Sequence, residues 1–439
     1  MTLPACGLRE VKWRVSVTEL NLPTGSSLDG IGAARTARLR LYFGGQASWF
    51  MSLGIQFVLF PYLAAELLHE TPARVGIAQM SLMAPALLFI LLGGTIADHS
   101  DVRRILVRMH VLSVVPPLVL LSVVLSGHLS YAILIAYALA MGTLGAFAMP
   151  ARDSALNRIA ETNIQQAVTL AMGTQMGSQL LGMLIVTAAS LSLIATVNTP
   201  ILLLLQMIML AVGAVLTAKL DPLPPEHEPS GEGRFAQIVD GIKAAWHQPI
   251  TFMVIVLNFA VGLFYVGSFM VVLPLSMRDV YHFNGTAFTS HFAMINIAFW
   301  GGTIAATVAL LKVGHIVHRG RVMMGAVTAG FLILGCMAFT MPFALLCFLC
   351  FLWGVGAGTT MTMGRTIVQI AARPSHRARV LAFYQLGFSG GAPIGSLIMG
   401  FLVGGLGVHV AVLVPAAIMV LIILGLFVSP LWSYRAVES

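Results

Sequence analysis

The chain has 439 residues, 58% hydrophobic and only 9% charged, where a soluble globular chain carries roughly 25% charge. With a mean hydropathy of +0.92, it describes a protein surrounded by lipid and excludes a soluble enzyme. The formal net charge of +8 does not mark a nucleic-acid binder, because the basic residues fall in short loops between apolar runs, the pattern that sets membrane topology.

Residues 1–38 mix charges with Pro and Gly and lack an apolar leader core, so they are expected to form a cytoplasmic tail. A bilayer core of about 30 Å needs roughly 20 apolar residues per helix. Runs of that length predict helices at 41–66, 73–97, 105–126, 130–150, 165–191 and 198–218. After a polar stretch, 219–249, a second set is predicted at 250–276, 286–312, 321–341, 343–366, 379–405 and 408–430, with 431–439 as a short cytoplasmic tail. The polar stretch holds DPLPPEHEPSGEG and reads as a cytoplasmic linker, with a short amphipathic piece near Phe235–Trp246. The fold class expected is therefore an all-α membrane protein, twelve transmembrane helices in two pseudo-symmetric bundles, 39–218 and 250–430.

With the N-terminus inside, only Arg74 and Arg278 among the 24 Lys and Arg fall on the outer side, which predicts both termini inside. An offset of 213 residues aligns Arg152 with Arg365, Gly177 with Gly390 and Gly182 with Gly395, a weak repeat of the kind that parallel transporter halves show. The string GGTIA also occurs twice, at 93–97 and 301–305, but at different depths, and is read as chance. Cys347-x-x-Cys350 lies inside the apolar run FALLCFLCFLW and is read as packing, and four cysteines make no disulfide framework.

The most informative segment is Gly93-Gly94-Thr95-Ile96-Ala97-Asp98-His99-Ser100-Asp101-Val102-Arg103-Arg104, which closes the second helix on the inner side. Gly94 would let a neighbouring backbone approach. Asp98 would meet a helix N-terminus or an arginine, and Arg103 and Arg104 would hold the loop at an anionic surface. This loop resembles the signature of the major facilitator superfamily, roughly G-x-x-x-D-R-x-x-R-R, with His99 in place of the usual Arg and Asp101-Val102 in place of Gly-Arg. Pro150-Ala151-Arg152 and Arg377-Ala378-Arg379-Val380 resemble the enterobactin-exporter-like and macrolide-efflux-like branch, whose layout residues 41–430 follow. The resemblance implies a cytoplasmic gate built from Gly94, Asp98, Arg103 and Arg104 that touches the start of helix 11, with Arg152 as a partner for Asp98.

Small residues at Gly177 and Gly182 in helix 5, and at Gly391 and Gly395 around Pro393 in helix 11, suit close helix packing. An exporter-type helix 5 motif is matched only in part, because the helix 5 copy lacks the proline. Gln175 and Gln179 share one face of helix 5, where an amide in lipid is costly and should face the bundle or a cavity. Methionines 172, 176 and 183 adapt to greasy partners. Gln56, Asn258, Tyr265 and Arg365 complete the candidate cavity lining, and Gln79, Asn296 and Gln385 are further polar residues at membrane depth.

No Asp or Glu falls in the middle of a predicted helix, which leaves Glu66 and His291 as candidates for proton coupling. No nucleotide-binding G-x-x-x-x-G-K-[ST] appears, and no cofactor or metal ligand set is expected. The expected function is a proton-coupled secondary exporter of a small amphipathic compound (a drug, antibiotic or siderophore) across the bacterial inner membrane. An importer or facilitator of a small polar metabolite is the alternative. The expected partners are that substrate, protons and membrane lipids, with no nucleic acid, and the expected state is a monomer.

Overall fold

The computed structural model describes residues 28–160, 164–191, 198–225, 246, 248–313, 316–371 and 377–433. All its regular elements are helical. Six make a first bundle: α1 (Leu28–Tyr62, extended by a π turn over Leu63–Leu67), α2 (Pro72–His99), α3 (Val102–Leu125), α4 (Tyr131–Ala160), α5 (Ile164–Leu191) and α6 (Asn198–Ala218). The second bundle holds α7 (Pro249–Ala260, a π turn over Val261–Val266, then Gly267–Asp279), α8 (Gly285–Val313), α9 (Arg319–Cys336), α10 (Phe343–Ala371), α11 (Arg377–Ala411) and α12 (Leu413–Phe427), followed by the short α13 (Pro430–Ser433). Among the described residues, nine helices are long and apolar enough to cross a membrane, counting α1 with its π turn and α7 as single rods. Large apolar side chains stay on the outside, such as Leu88, Leu125, Leu311 and Leu421. An outer surface of this kind is stable against lipid and not against water.

Local chemistry sets the helix starts. Thr71 caps α2 with Pro72 at its first position, and Gln248 precedes Pro249 at the start of α7. Several boundaries differ from the apolar-run reading. Among them, α1 is already helical at Leu28, inside the expected tail, α10 continues past 366, and α4 runs at least ten residues beyond Pro150. The α4 extension buries Ala151, Ala155, Leu156 and Ile159 on one face, a helical period that a search for uniformly apolar runs misses. Pro150 cannot bond the carbonyl of Ala146, and that carbonyl lies against Gly93 of α2 instead. The amphipathic piece expected near Phe235–Trp246 lies outside the described residues except for Trp246.

Within the first bundle α1 packs on α5 and α6, α2 on α4, and α3 on α4 and α6; in the second, α7 packs on α11, α8 on α10, and α9 on α10 and α12. The bundles meet along two seams, α2 with α11 and α5 with α8. These seams are repeat images of each other: Pro72 and Gly285 start α2 and α8 at the 213-residue offset, and α5 and α11 occupy matching places in their bundles. The structure extends the repeat well beyond the three alignments seen in the sequence. Gly54 of α1 would drive a Cβ into the Gln179 carbonyl of α5, and Gly267 of α7 would drive one into Gly395 of α11. Pro61 and Pro274 sit inside α1 and α7 at the same offset. His69 (φ 47°) and His282 (φ 53°) share it too, each left-handed in the turn after the first helix of its bundle.

Candidate functional site

One end of the molecule carries Arg103, Arg104, Arg158, Arg319 and Arg321, and is termed the basic end. The opposite, far end carries the turns after α1 and α7.

At the far end the two bundles are joined directly. The Glu66 carboxylate, 8% exposed on the π turn, accepts from the backbone N–H of Gly285 at 3.3 Å, at the start of α8. This places a carboxylate on a helix N-terminus, where the dipole favours it. Its Oε2 is buried without a partner. Arg278 at the end of α7 donates to the carbonyls of Ala65 (2.9 Å) and Glu70 (2.7 Å) in the first bundle, and its other edge pairs with Asp279. Ser190 of α5 and Thr289 of α8 lie 2.7 Å apart through their hydroxyls, and Tyr62 packs against Phe288. Gly76 of α2 and Gly400 of α11 complete the seam. A Cβ on Gly76 would lie 2.6 Å from the Ser396 carbonyl, and one on Gly400 2.8 Å from that of Pro72. His291 stands apart from Glu66's contacts: its ring stacks on Phe283 at 3.9 Å, and Nδ1 lies 2.7 Å from the Ala287 carbonyl of its own helix.

At the basic end the described contacts of Asp101, Arg103 and Arg104 lie within the first bundle and the start of the linker. The side chain of Asp98 lies outside the described residues, while Gly94 is buried and Gly93 is the point where α4 comes close. Arg103 donates to the Ala218 carbonyl at the end of α6, and Arg104 lies 3.4 Å from Asp101. Two residues that sequence reasoning passed over organise this end. Asp101 accepts from Arg103 N, capping α3, and from Leu223 N at 2.9 Å, so it holds the start of the linker. Arg158 donates to three carbonyls, Ala97 (3.0 Å), Ser100 (3.3 Å) and Leu223 (2.6 Å), and so closes the C-terminus of α2. The available signal was the Asp immediately before α3, an N-cap residue type at a helix start.

Arg152 is 4% exposed, with its guanidinium over the Trp49 ring at 4.1 Å and near that of Phe50 at 5.1 Å. Its Nε and Nη2 have no hydrogen-bond partner; the expected partner, Asp98, has its side chain outside the described residues. Of the expected cavity residues, three have polar groups engaged within their own bundles. Gln56 accepts from Gln206, Asn258 donates to the Tyr384 carbonyl and Tyr265 donates to that of Val327. Gln179 is buried, Gln175 is half-buried and Arg365 is exposed. Gly182, Gly391 and Gly395 make close backbone approaches, against α1 for the first and α7 for the others, with Pro393 buried between the last two. Gly177 does not: a Cβ there would meet nothing within 4 Å, because at that turn Ser178 and Gln179 are the buried residues.

The sequence profile of the Major Facilitator Superfamily matches residues 42–362 and 291–436. The chain belongs to that family. It is a multi-pass membrane transporter and not an enzyme. Solved structures share the fold at low identity. A mutant of the nucleoside transporter NupG superposes with a TM-score of 0.70 at 14% identity, covering 89% of this chain and 98% of that one. A bacterial homolog of the human lysosomal transporter Spinster, inward-facing and unoccupied, gives 0.69 at 11%, covering 92% and 99%. A structure from the proton-dependent oligopeptide transporters gives 0.61 at 11%, covering 91% and 99%. No curated protein sequence matches the chain.

Proposed function

We propose that this transporter exports a small amphipathic organic compound across the bacterial inner membrane, coupled to protons, by rocking its two bundles about the α2–α11 and α5–α8 seams. The carrying observation is the direct junction of the two bundles at the far end, where Glu66, Arg278 and Ser190 bridge them. Assigning the basic end to the cytoplasm follows the rule that Lys and Arg stay inside, and puts both termini there. The loop from Gly94 to Arg104 is then the gate that closes that end in the alternate state. Gln175, Gln179 and Arg365 are the cavity residues we assign to substrate. Export is supported by the sparse fixed charge at membrane depth, where no Asp or Glu falls in the middle of a predicted helix.

Glu66 is the proton-coupling residue we favour, since a carboxylate with one bonded and one unpartnered oxygen holds the far end shut. His291, half-buried against Phe283, is the second. The test is accumulation of amphipathic antibiotics and dyes in a strain stripped of its major efflux pumps. Expression of this chain should lower retention of at least one. Unchanged retention of every compound together with increased uptake of a nutrient would establish import. Replacing Glu66 and His291 singly should weaken pH-gradient-driven efflux for at least one; full proton dependence in both variants would remove them from the coupling mechanism.

A further inference from the structure

We propose that Arg152 anchors the carboxylate of an amphipathic organic acid, which narrows the substrate class of the transport reading above and rests on that reading. Among the described residues Arg152 is the only Lys or Arg in the buried core. Taking a guanidinium out of water is costly unless an anion meets it. Stacking on Trp49 and Phe50 offsets part of that cost through the ring faces, but it uses none of the N–H donors. Nη1 is taken up by the Met149 sulfur at 3.6 Å. The two donors left without partners, Nε and Nη2, lie on one edge of the guanidinium plane. That edge is the fork that meets both oxygens of a carboxylate with parallel bonds.

The neighbouring acid does not fill it. Asp153 is exposed, and neither orphan nitrogen bonds to it. Arg152 also lines, with Tyr42, Gln46, His110 and Thr217 among others, a cavity of about 10 Å3, room for roughly one oxygen atom or water, which the ligand's acid group must widen to enter. The Gln46 Oε1 is also buried without a partner, so the site wants a donor as well as an anion. A hydroxyl next to the acid group supplies both. The repeat shows that the cage is particular to this bundle. Gly262 and Leu263 stand at the positions equivalent to Trp49 and Phe50, and Arg365, the counterpart of Arg152, is exposed.

The test is calorimetric binding to the purified full chain in detergent, with benzoate, salicylate and the neutral isostere benzamide. Benzoate should bind about tenfold or more tightly than benzamide, as expected for hydrogen bonds to a charged group, and salicylate more tightly still. R152Q should reduce the benzoate preference to within about twofold. R152K, which keeps the charge without the fork, should retain only part of it, and R108Q, at an exposed arginine of α3, should leave it intact. The unliganded melting temperatures of all variants report whether they fold, and R152K carries the comparison if R152Q does not. The proposal is overturned if wild type treats benzoate and benzamide alike, or if R152Q or R152K keeps the full preference. Efflux of neutral compounds without carboxylate binding would sink this site and leave export standing. Carboxylate binding without any lowered retention would do the reverse.

Discussion

Replacing Glu66 with Gln tests the far-end latch most directly. The substitution keeps one acceptor oxygen for Gly285 N and removes the charge that faces the start of α8. A hydrogen bond to a charged group contributes about 1.5–3 kcal/mol and a neutral one about 1 kcal/mol; at 3.3 Å the lower half of that difference applies. The lost interaction with the helix terminus adds about 0.3–1 kcal/mol. Set against this, a neutral amide is cheaper to bury than a carboxylate with one unpartnered oxygen, so the net weakening of the closed state is about 1 kcal/mol, roughly a fivefold population shift. The readout is a disulfide between S190C and T289C, whose native hydroxyls are 2.7 Å apart, in a background without Cys6, Cys336, Cys347 and Cys350. Oxidative cross-linking should be about fivefold slower with E66Q. An unchanged or faster rate would mean that Glu66 does not hold the bundles together, and the coupling role assigned to it would go as well.

Arg158→Gln leaves two carbonyls at the end of α2 and that of Leu223 without their cation and should cost about 1.5–3 kcal/mol, seen as a lowered melting temperature and faster proteolysis between 219 and 226. Gly54→Ala pushes a Cβ into the Gln179 backbone and should destabilise by about 1–3 kcal/mol. Gly177→Ala meets open space and should leave the melting temperature unchanged or raise it, by up to about 1 kcal/mol of helix preference. Gly76→Ala obstructs only the seam between bundles, so each bundle should keep its stability while S190C–T289C cross-linking and transport both fall.

The number of helices, their pairing into two sixes and the loop between α2 and α3 were legible because lipid imposes length and apolarity on every crossing segment. Local chemistry was less so. Asp101 looked like a departure from a gate motif, and only the fold shows Leu223 returning to it. The repeat looked thin because it rests on backbone demands more than on side-chain identity. His69 and His282 share a left-handed turn, Pro61 and Pro274 a bend, and Gly54 and Gly267 a close crossing, but these are isolated matches in chain text. The partners of Gln56, Asn258 and Tyr265 were illegible for a related reason. A polar residue at membrane depth must find a hydrogen bond, yet sequence spacing does not say whether the acceptor is a substrate or a neighbouring helix.

The two ends need opposite chemistry if the bundles are to rock. At the basic end the second bundle presents Lys312, Arg319, Arg321 and Arg365 and, among the described residues, no acid. Closure there therefore needs carboxylates from the first bundle. Of the carboxylates whose side chains are described there, Asp101 is spent on α3 and Leu223, and Asp221 on Arg38 at 2.7 Å. Asp153 on α4 is exposed and within electrostatic reach of its neighbour Arg152 and, across the bundles, of Arg365 on α10. We predict that the two form an ion pair when the basic end shuts. An exposed pair contributes about 0.2–1 kcal/mol, so D153N or R365Q alone should shift the bundles toward the far-end-closed state by up to about fivefold, raising the S190C–T289C cross-linking rate. The charge reversal D153R with R365D should restore it toward the parent value. If the single variants leave cross-linking unchanged, or the reversal fails to rescue, closure of the basic end depends on other contacts and Asp153 is only a solvated turn of α4.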